Sequence, residues 1–289
     1  MSSIAYITDP NMIDFHRLRG NRTMVFWRFS LKGFARFSEG DLFFFIDHRT
    51  RHPKTKEKGL VGYGRCSEIK NQSLSQAWKK YENKIGYNSY DEFKEAVRYY
   101  RKNDHRLPNQ IQTIKLVNVI FFQQPVFLSE IEVPLSDRLE SFTYIEDEGK
   151  DLSHQLFPII KKIGVDSWMQ SQNLNIDERD LERDYIHQKV RYNLSYIETK
   201  YNDRQIRILK NHTNGVAINN IYYEYHGNSL KVFLPMTSRS QIYYLLGIKT
   251  AIESIVQEIN CDFSLLTNIK VDRLIIDLLT HLNVKLVNI

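Results

Sequence analysis

A run of apolar residues near the start of the chain predicts a strand that is buried on both faces. The run extends from Leu42 to Ile46, after a Gly-Asp pair and before an Asp-His pair. It is too short to span a membrane, and a continuous apolar stretch of this length is typical of a core strand. A second apolar stretch, from Leu60 to Cys66, predicts a partner strand. The residues between the two strands then form a connecting loop.

The connecting loop, from His48 to Lys58, is strongly basic, with five Lys or Arg residues against one Glu. Cations of this kind neutralise the phosphates of nucleic acids. We therefore predict phosphate contacts from the five cations of the loop: Arg49, Arg51, Lys54, Lys56 and Lys58.

The rest of the first half predicts further strands around two helices. Thr23 to Phe29 has the aromatic and β-branched content of a strand. Ser73 and Ser89 each stand three residues before a Gln or a Glu and open a stretch of 3.6-residue periodicity, so two capped helices are predicted. Strands are predicted again from Thr113 to Phe122 and from Phe127 to Val133. Separate strands and helices of this kind predict an α+β fold.

Two ordered blocks of the first half resemble a known family. Gly40-Asp41, the apolar run, and then Lys58-Gly-Leu-Val-Gly-Tyr-Gly64 resemble the signature of EVE-type domains of the PUA-like superfamily, which is G-D, an apolar run and K-G-(I/V)-V-G-x-G. The block from Thr113 to Tyr144 is similar to the later strand and proline turn of EVE-like domains attached to HNH nucleases and modification-dependent restriction enzymes. The resemblance extends to about Lys150.

The resemblance implies a PUA/EVE-like mixed β-barrel with flanking helices. In such domains, aromatic side chains near the first strand and near the strand after the loop wall a pocket for a base, which implies Trp27, Phe29 and Tyr63 here. The alternative interpretation places all three in the hydrophobic core, where aromatic residues are commonly packed. The basic segment from Arg98 to Arg106 is placed to line the same cleft, although a solvated helix end explains its charges equally well.

The composition changes between Gly164 and Asp177, where polar residues replace the apolar pattern. We therefore predict two domains, residues 1–165 and residues 175–289. The second has no family resemblance, and its pattern predicts a C-terminal α/β domain that serves in assembly or as an effector. Its predicted elements include a long amphipathic helix from Glu178 to Tyr201, a strand from Ile206 to Leu209 and a hairpin from Ile221 to Leu234.

One combination in the second half matches part of a metal-dependent nuclease site. Glu198 and Lys200 fit the (D/E)-x-K half of that motif, with Asp184 as an upstream carboxylate and Mg²⁺ as the metal. The predicted helix argues against this site, because residues i and i+2 of a helix point roughly 200° apart. A charged helix face is the alternative. His48 and His52 lack a paired Glu or Cys, so we predict no metal site and no cofactor for a binding protein.

Composition adds few limits. The chain has 40 Lys and Arg against 34 Asp and Glu, a formal net charge of +6 and a pI near 9.1. This balance permits a nucleic-acid partner without requiring one. Cys66 and Cys261 lie far apart in apolar contexts, which predicts reduced, buried thiols. The sequence shows no charged leader and no window of about 18 apolar residues, so we expect a cytoplasmic protein that does not span a membrane.

The leading hypothesis is a nucleic-acid-binding protein, with DNA as the expected partner and RNA as the other, that reads a modified or flipped base through the aromatic pocket. The resemblance implies a setting in bacterial defence against foreign or modified DNA. The alternative enzyme is a modification-dependent restriction-type endonuclease with its active site in the second half. A third hypothesis is an RNA-binding regulatory homodimer that assembles through the C-terminal domain. Metal-dependent cleavage of DNA separates the enzyme from the binding protein, and competition between RNA and duplex DNA tests the third hypothesis.

Overall fold

The computed structural model describes residues 2–101, 106–146, 152–172, 176, 178–227, 229–257 and 259–289. The chain forms two compact units, Met1–Glu182 and Arg183–Ile289. Each unit is a mixed α/β structure built on its own mixed β-sheet. None of the helices in these described ranges is long and apolar enough to cross a membrane.

Six strands form the sheet of the first unit, in the order β2-β5-β4-β3-β1-β6. β1 and β3 are parallel, and the other neighbouring pairs are antiparallel. The strands are β1 (Ile4–Ile7), β2 (Thr23–Arg28), β3 (Leu42–Arg51), β4 (Lys58–Gln72), β5 (Ile111–Val126) and β6 (Phe142–Tyr144).

The expected β-barrel is corrected to an open, curled sheet. Over the described residues β2 and β6 form the two edges of the strand order, so the sheet does not close. The curl is visible in the side chains, because Tyr6 of β1 and Phe26 of β2 lie in distant strands of the order and yet their ring centroids are 4.7 Å apart. The concave face of the sheet therefore supplies one continuous aromatic core.

The predicted core strand is confirmed as the first part of β3. Leu42 to Ile46 are fully buried, and the ring of Phe45 lies 5.6 Å from that of Phe121 on β5. At Gly62 of β4 there is no room for a side chain, because a Cβ atom would lie only 2.5 Å from the carbonyl oxygen of Ile120 on β5. The glycine pattern that carries the family resemblance therefore has a packing role at this position, because a side chain there would separate two paired strands.

The first unit also contains α1 (Pro10–Leu18), α2 (Leu74–Tyr81), α3 (Tyr90–Tyr100), α4 (Leu152–Ile163) and α5 (Ser167–Gln172). The predicted caps of α2 and α3 are confirmed. Ser73 Oγ accepts a hydrogen bond from the Gln76 amide at 3.2 Å, and Ser89 Oγ accepts one from the Glu92 amide at 3.2 Å. Each bond satisfies an amide that lacks a partner in the first helical turn. The strand predicted from Phe127 to Val133 is wrong, since Leu128–Ile131 form a turn of 3-10 helix.

The first unit extends beyond residue 165, the end that the sequence predicted for it. Helix α5 packs on α1, and Trp168 Nε1 donates a hydrogen bond to the Leu18 carbonyl at 3.0 Å. Met169 is fully buried. The sequence does not predict the packing of Trp168 and Met169 on the first unit, because the segment is polar and a six-residue helix is too short to show hydrophobic periodicity.

The sheet of the second unit has the order β11-β10-β9-β8-β7. Strands β7, β8 and β9 are antiparallel neighbours, whereas β10 is parallel to both β9 and β11. The strands are β7 (Val216–Ile218), β8 (Ile221–His226), β9 (Ser229–Met236), β10 (Asn260–Thr267) and β11 (Val284–Asn288). The predicted hairpin is therefore confirmed as β8 and β9.

Helix α6 (Glu178–Leu194) begins at the end of the first unit, and α7 (Asp203–His212), α8 (Ile242–Ile255) and α9 (Arg273–His281) follow it. The strand predicted from Ile206 to Leu209 is wrong, because these residues lie in α7. Asn202 caps that helix: its side chain accepts from the Gln205 amide at 3.0 Å, and Gln205 Oε1 accepts from the Asn202 amide at 3.1 Å. This reciprocal pair fixes the helical start against the β propensity of the isoleucines.

Candidate functional site

A cleft of about 460 Å³ opens in the first unit where several elements end. The C-terminal end of β1, the start of α1, the end of β2 and the end of α3 all contribute to it. Its volume falls within the range of sites that accept small organic groups. The side chains used below are Asp9, Trp27, Arg28, Phe29, His48, Tyr100 and Glu140, all of which line the cleft.

Three aromatic side chains wall the cleft. The ring of Trp27 meets the ring of Phe29 edge to face at 5.5 Å and the ring of Tyr100 edge to face at 6.1 Å. Trp27 is only 8% exposed, whereas Phe29 is 36% exposed and Tyr100 is 40% exposed. Trp27 is thus both a core residue and the floor of the cleft, so the two interpretations of this residue are compatible. The open faces of Phe29 and Tyr100 are available for stacking.

Polar groups lie behind this aromatic wall. The Asp9 carboxylate accepts from the Asn11 amide at 3.0 Å and so caps α1. Trp27 Nε1 and the Tyr87 hydroxyl are both buried, and the Tyr87 hydroxyl interacts with the side chains of Trp27 and Asp9. Burial, and then the negative charge of Asp9, raise the pKa of both Tyr87 and Tyr100, so both phenols stay protonated and can donate hydrogen bonds.

Arg28 lines the cleft, but other groups hold its charge. Its Nε donates to Gln112 Oε1 at 2.8 Å, a second nitrogen donates to the Lys32 carbonyl, and the guanidinium lies 3.7 Å from the centre of the Phe34 ring. Burial lowers the pKa of Arg28. None of these three partners lines the cleft. A further hydrogen bond joins the guanidinium to Tyr6, which lines the cleft, so Arg28 is held partly by structural partners and partly by the cleft wall.

Tyr63, which the resemblance places in the base pocket, lies in the core. It is fully buried, with ring centroids 5.9 Å from Phe44, 6.0 Å from Phe122 and 5.7 Å from Phe157. It does not line the cleft. The physical reason is the direction of its strand position: Gly62 and Gly64, its neighbours, pack against β5, and Tyr63 points to the opposite face of the sheet.

The basic loop is shorter than predicted, and two of its cations have structural roles. Arg49 forms ion pairs with Asp14 and Asp47, each at 2.8 Å, and the hydrogen bond to Asp14 is the main cause of its raised pKa. Lys58 is 6% exposed, and its ammonium donates to the Leu139 carbonyl. Burial lowers the pKa of Lys58. The structure thus gives Lys58 a role in anchoring the rim of the cleft beside Glu140, and its contact with phosphate stays a prediction.

The remaining cations lie at the exposed tip of the β3-β4 hairpin. Arg51, Lys54 and Lys56 are exposed, and Arg51 donates to the Lys56 carbonyl at 3.0 Å. The one acidic residue of the loop, Glu57, is buried and accepts hydrogen bonds from the Ser129 hydroxyl at 2.6 Å and from the Ser129 amide at 3.1 Å. The bonds from Ser129 to the buried Glu57 thus fix the base of the hairpin tip, and the cations of the tip are exposed to solvent.

The nuclease candidates lie in the second half. Asp184 is buried on α6. Helix α6 ends at Leu194, so Glu198 and Lys200 lie exposed in the segment between α6 and α7, and the prediction that a helix carries them is wrong. No group of three or more His, Cys, Asp or Glu placed to hold a metal ion occurs in the part of the chain that the structure describes. The nuclease hypothesis and its Mg²⁺ stay predictions for a cleavage assay.

Comparison with known proteins gives a likeness of fold only. No protein-family model matches the chain, and no curated protein matches it. The structure is similar to ASCH from Zymomonas mobilis, at 14% identity and a TM-score of 0.34, over 51% of this chain and 90% of that chain. A tyrosine-to-phenylalanine mutant of the same protein gives 14% identity and a TM-score of 0.39, over 55% and 99% of the two chains. Likenesses this weak assign neither a family nor an activity.

Of the seven lining side chains named above, sequence reasoning identifies only Trp27 and Phe29, and Asp9 and Tyr100 are among the five that it misses. Asp9 stands immediately before a proline, and the pair Asp9-Pro10 is a signal for the cap and first position of a helix. Tyr100 ends α3 inside the basic segment from Arg98 to Arg106, whose charges predict a place near the cleft. Residues 102–105 of that segment lie outside the described residues. The tyrosine, rather than an arginine, is the member that lines the cleft.

Proposed function

We propose that the first unit binds a nucleic acid by taking one base into the aromatic cleft while exposed cations of the β3-β4 hairpin contact neighbouring phosphates. The observation that carries this proposal is the wall formed by Trp27, Phe29 and Tyr100 around a volume of about 460 Å³. A base stacked on an aromatic side chain gains about 1–3 kcal/mol. Phe29 and Tyr100 are exposed enough to offer such a surface.

The position of the hairpin supports a phosphate contact close to the base. His48 lines the cleft, and Arg51 follows it by three positions on β3. At about 3.3 Å per residue, Arg51 lies roughly 10 Å farther along the strand. Lys54 and Lys56 are exposed beyond it at the tip. A strand of nucleic acid that places a base in the cleft therefore passes cations within one or two nucleotides.

The stacking surface is tested with Tyr100→Ala and with Tyr99→Ala as the matched control. Tyr99 precedes Tyr100 on α3 and is 73% exposed, but it does not line the cleft. We expect Tyr100→Ala to weaken binding of a fluorescent single-stranded oligonucleotide about 5- to 160-fold, which corresponds to the loss of about 1–3 kcal/mol. Tyr99→Ala should bind like the parent chain. Equal affinities for the parent and Tyr100→Ala would contradict a stacking role for the cleft.

The phosphate contacts are tested by salt dependence. Changing both Lys54 and Lys56 to Ala should weaken binding across sequences and reduce the slope of log K against log salt by about 0.7 per lost contact on a single strand. The control changes Lys79 and Lys84 to Ala, which are exposed on another part of the unit. A slope that is unchanged in the first pair, or reduced equally in both pairs, would place the phosphate track elsewhere.

The kind of nucleic acid is a further part of the proposal. The resemblance of the Gly40–Gly64 signature to EVE-type domains supports a role in defence against foreign or modified DNA. Competition between plain DNA, modified DNA and RNA for the labelled oligonucleotide ranks the three partners. Assembly through the second unit is tested in the same preparations by light scattering. Preferred binding of RNA by a dimer would favour the regulatory hypothesis over defence.

A further inference from the structure

Helix α9 of the second unit carries apolar side chains on its exposed face. Leu274 is 82% exposed and Ile276 is 41% exposed. No other large apolar side chain in the described part of the chain is more exposed than Leu274. The opposite face of α9 packs on the core of its unit through Ile275, Leu279 and Leu282. The exposed apolar residues are therefore not needed to hold the helix on the sheet.

The apolar surface continues beside the helix into a groove of about 330 Å³. Ile276, Leu286 and Ile289 line this groove together with polar residues that include Lys270 and Asn288. Exposed aliphatic side chains with polar neighbours are the composition of a protein–protein interface, whereas a nucleic-acid site would be chiefly basic. This surface of the second unit therefore fits a protein partner.

Two unpaired charges on the same face of α9 indicate which protein. Arg273 and Asp277 are both exposed and stand one helical turn apart. Neither side chain forms an ion pair or a hydrogen bond with another side chain in the described ranges. Opposite charges in this arrangement make the face complementary to a reversed copy of itself, which is the requirement for a two-fold interface.

We propose that two copies of this chain form a two-fold dimer through antiparallel contact of their α9 helices. With the axis level with Ile275, Arg273 of each copy lies opposite Asp277 of the other, because the two residues stand two positions before and after that level. Leu274 and Ile276 stand one position before and after it, so both are covered close to the axis. The inference gives assembly through the second unit a defined surface and does not depend on base binding.

The size of the contact sets the expected affinity. Helix α9 has nine residues and is about 14 Å long, so two such helices cover less than the about 800 Å² per partner of a standard interface. We therefore expect a dimer that dissociates on dilution through the micromolar range. Light scattering of the full chain over a concentration series should show the mass rise from 34.4 kDa towards twice that value.

Leu274→Asp tests the apolar part of the contact. The side chain is exposed and an aspartate in the first turn suits the helix dipole, so the melting temperature should be unchanged. The variant should be monomeric at concentrations where the parent chain is a dimer. A parent chain that stays monomeric up to millimolar concentration would overturn the inference and assign this face to another partner. A dimer that survives Leu274→Asp would also overturn it.

Charge reversal tests the symmetry. Arg273→Asp and Asp277→Arg each place like charges together twice, once at each end of the contact, so each should weaken the dimer about 10-fold or more. The double reversal restores both pairs and should return the dissociation constant to within about threefold of the parent. These changes suit the dipole of α9, so the helix should form in every variant. Arg204→Asp, at an exposed position in the first turn of α7, is the control and should leave the dimer unchanged.

The double reversal decides between this interface and a general effect of charge. A double variant as weak as either single variant would overturn the inference. The outcomes also separate the inference from the proposed function. A monomeric chain that binds oligonucleotides overturns the inference and leaves the function standing, whereas a dimer with the expected variant effects that binds no oligonucleotide supports the inference and contradicts the function.

Discussion

Replacing Gly62 with alanine tests whether the glycine pattern of β4 serves strand packing. An alanine Cβ would lie 2.5 Å from the Ile120 carbonyl oxygen and 3.1 Å from the Cα atom of Phe121. Both are backbone atoms of β5, so neither can rotate away and the two strands must separate. Forced packing of this kind costs typically 1–3 kcal/mol, and we place Gly62→Ala at about 3 kcal/mol because the contacts are with backbone.

The measurement is thermal unfolding followed by circular dichroism. For a unit of this size, about 3 kcal/mol corresponds to a fall of roughly 6–12 °C in Tm. Gly33→Ala is the matched control, since a Cβ atom at Gly33 would meet nothing within 4 Å. That variant should be unchanged or slightly stabilised, because alanine reduces the freedom of the unfolded chain.

Two results would refute this reasoning. A Tm of Gly62→Ala within about 2 °C of the parent, where the unit should lose several degrees, would show that the strands accommodate the methyl group. A folded Gly62→Ala variant that binds no oligonucleotide would show that the glycine serves the ligand instead. Gly62 does not line the cleft, so we expect the folded fraction of the variant to bind normally.

Two further predictions concern buried titratable groups. Burial lowers the pKa of His16 to about 3, so between about pH 6.5 and pH 3 the unfolded chain binds a proton that the folded chain does not bind. The free energy of unfolding should therefore fall by up to about 1.4 kcal/mol per pH unit as the pH is lowered through this range. Denaturant titrations at several pH values should show a flatter profile for His16→Gln. The buried Glu57 carboxylate accepts hydrogen bonds from the Ser129 hydroxyl and from the amides of Ser129 and Leu135. Glu57→Gln should therefore lower the free energy of unfolding by about 2–4 kcal/mol, measured by chemical denaturation. The exposed Glu95→Gln is the control and should leave that free energy almost unchanged. Parallel pH profiles for the parent and His16→Gln, or equal losses in the two glutamate variants, would contradict these assignments.

The elements that the sequence predicts well are those with a strong local signal. The apolar run of β3 and the serine caps of α2 and α3 each contain their own evidence within a few residues. The same holds for the β8-β9 hairpin, whose alternation and turn residues are adjacent in the chain. Local sequence signals determine these elements, so they can be predicted without knowing the tertiary structure.

The errors arise where two local signals compete or where a distant contact decides. The isoleucines of α7 favour a strand. The Asn202-Gln205 capping pair, which can also be read from the sequence, favours a helix and determines the structure. The long helix predicted to Tyr201 ends at Leu194, because Ile197 and Tyr201 reach the core of the second unit from an irregular segment. The spacing of Ile197 and Tyr201 matches the helical period of 3.6 residues, although neither residue lies in a helix.

The candidate site divides in the same way. Trp27 and Phe29 are identified by residue type and strand position, and both line the cleft. Tyr63 is misplaced because the face of a strand depends on register, and β4 carries register shifts beside its glycines. Asp9 and Tyr100 meet only in three dimensions, since the end of β1 and the end of α3 are more than 90 residues apart.

The buried Lys58 separates the exposed tip of the β3-β4 hairpin from the cleft, so the tip can change without altering the cleft. Its bond to the Leu139 carbonyl, with the buried Glu57 beside it, fixes the base of the hairpin to the rim of the cleft. The four residues before Glu57 form an exposed tip that makes no part of the cleft lining. Insertions, deletions and charge changes in this tip can therefore alter the surface charge of the unit while the geometry of the cleft stays the same.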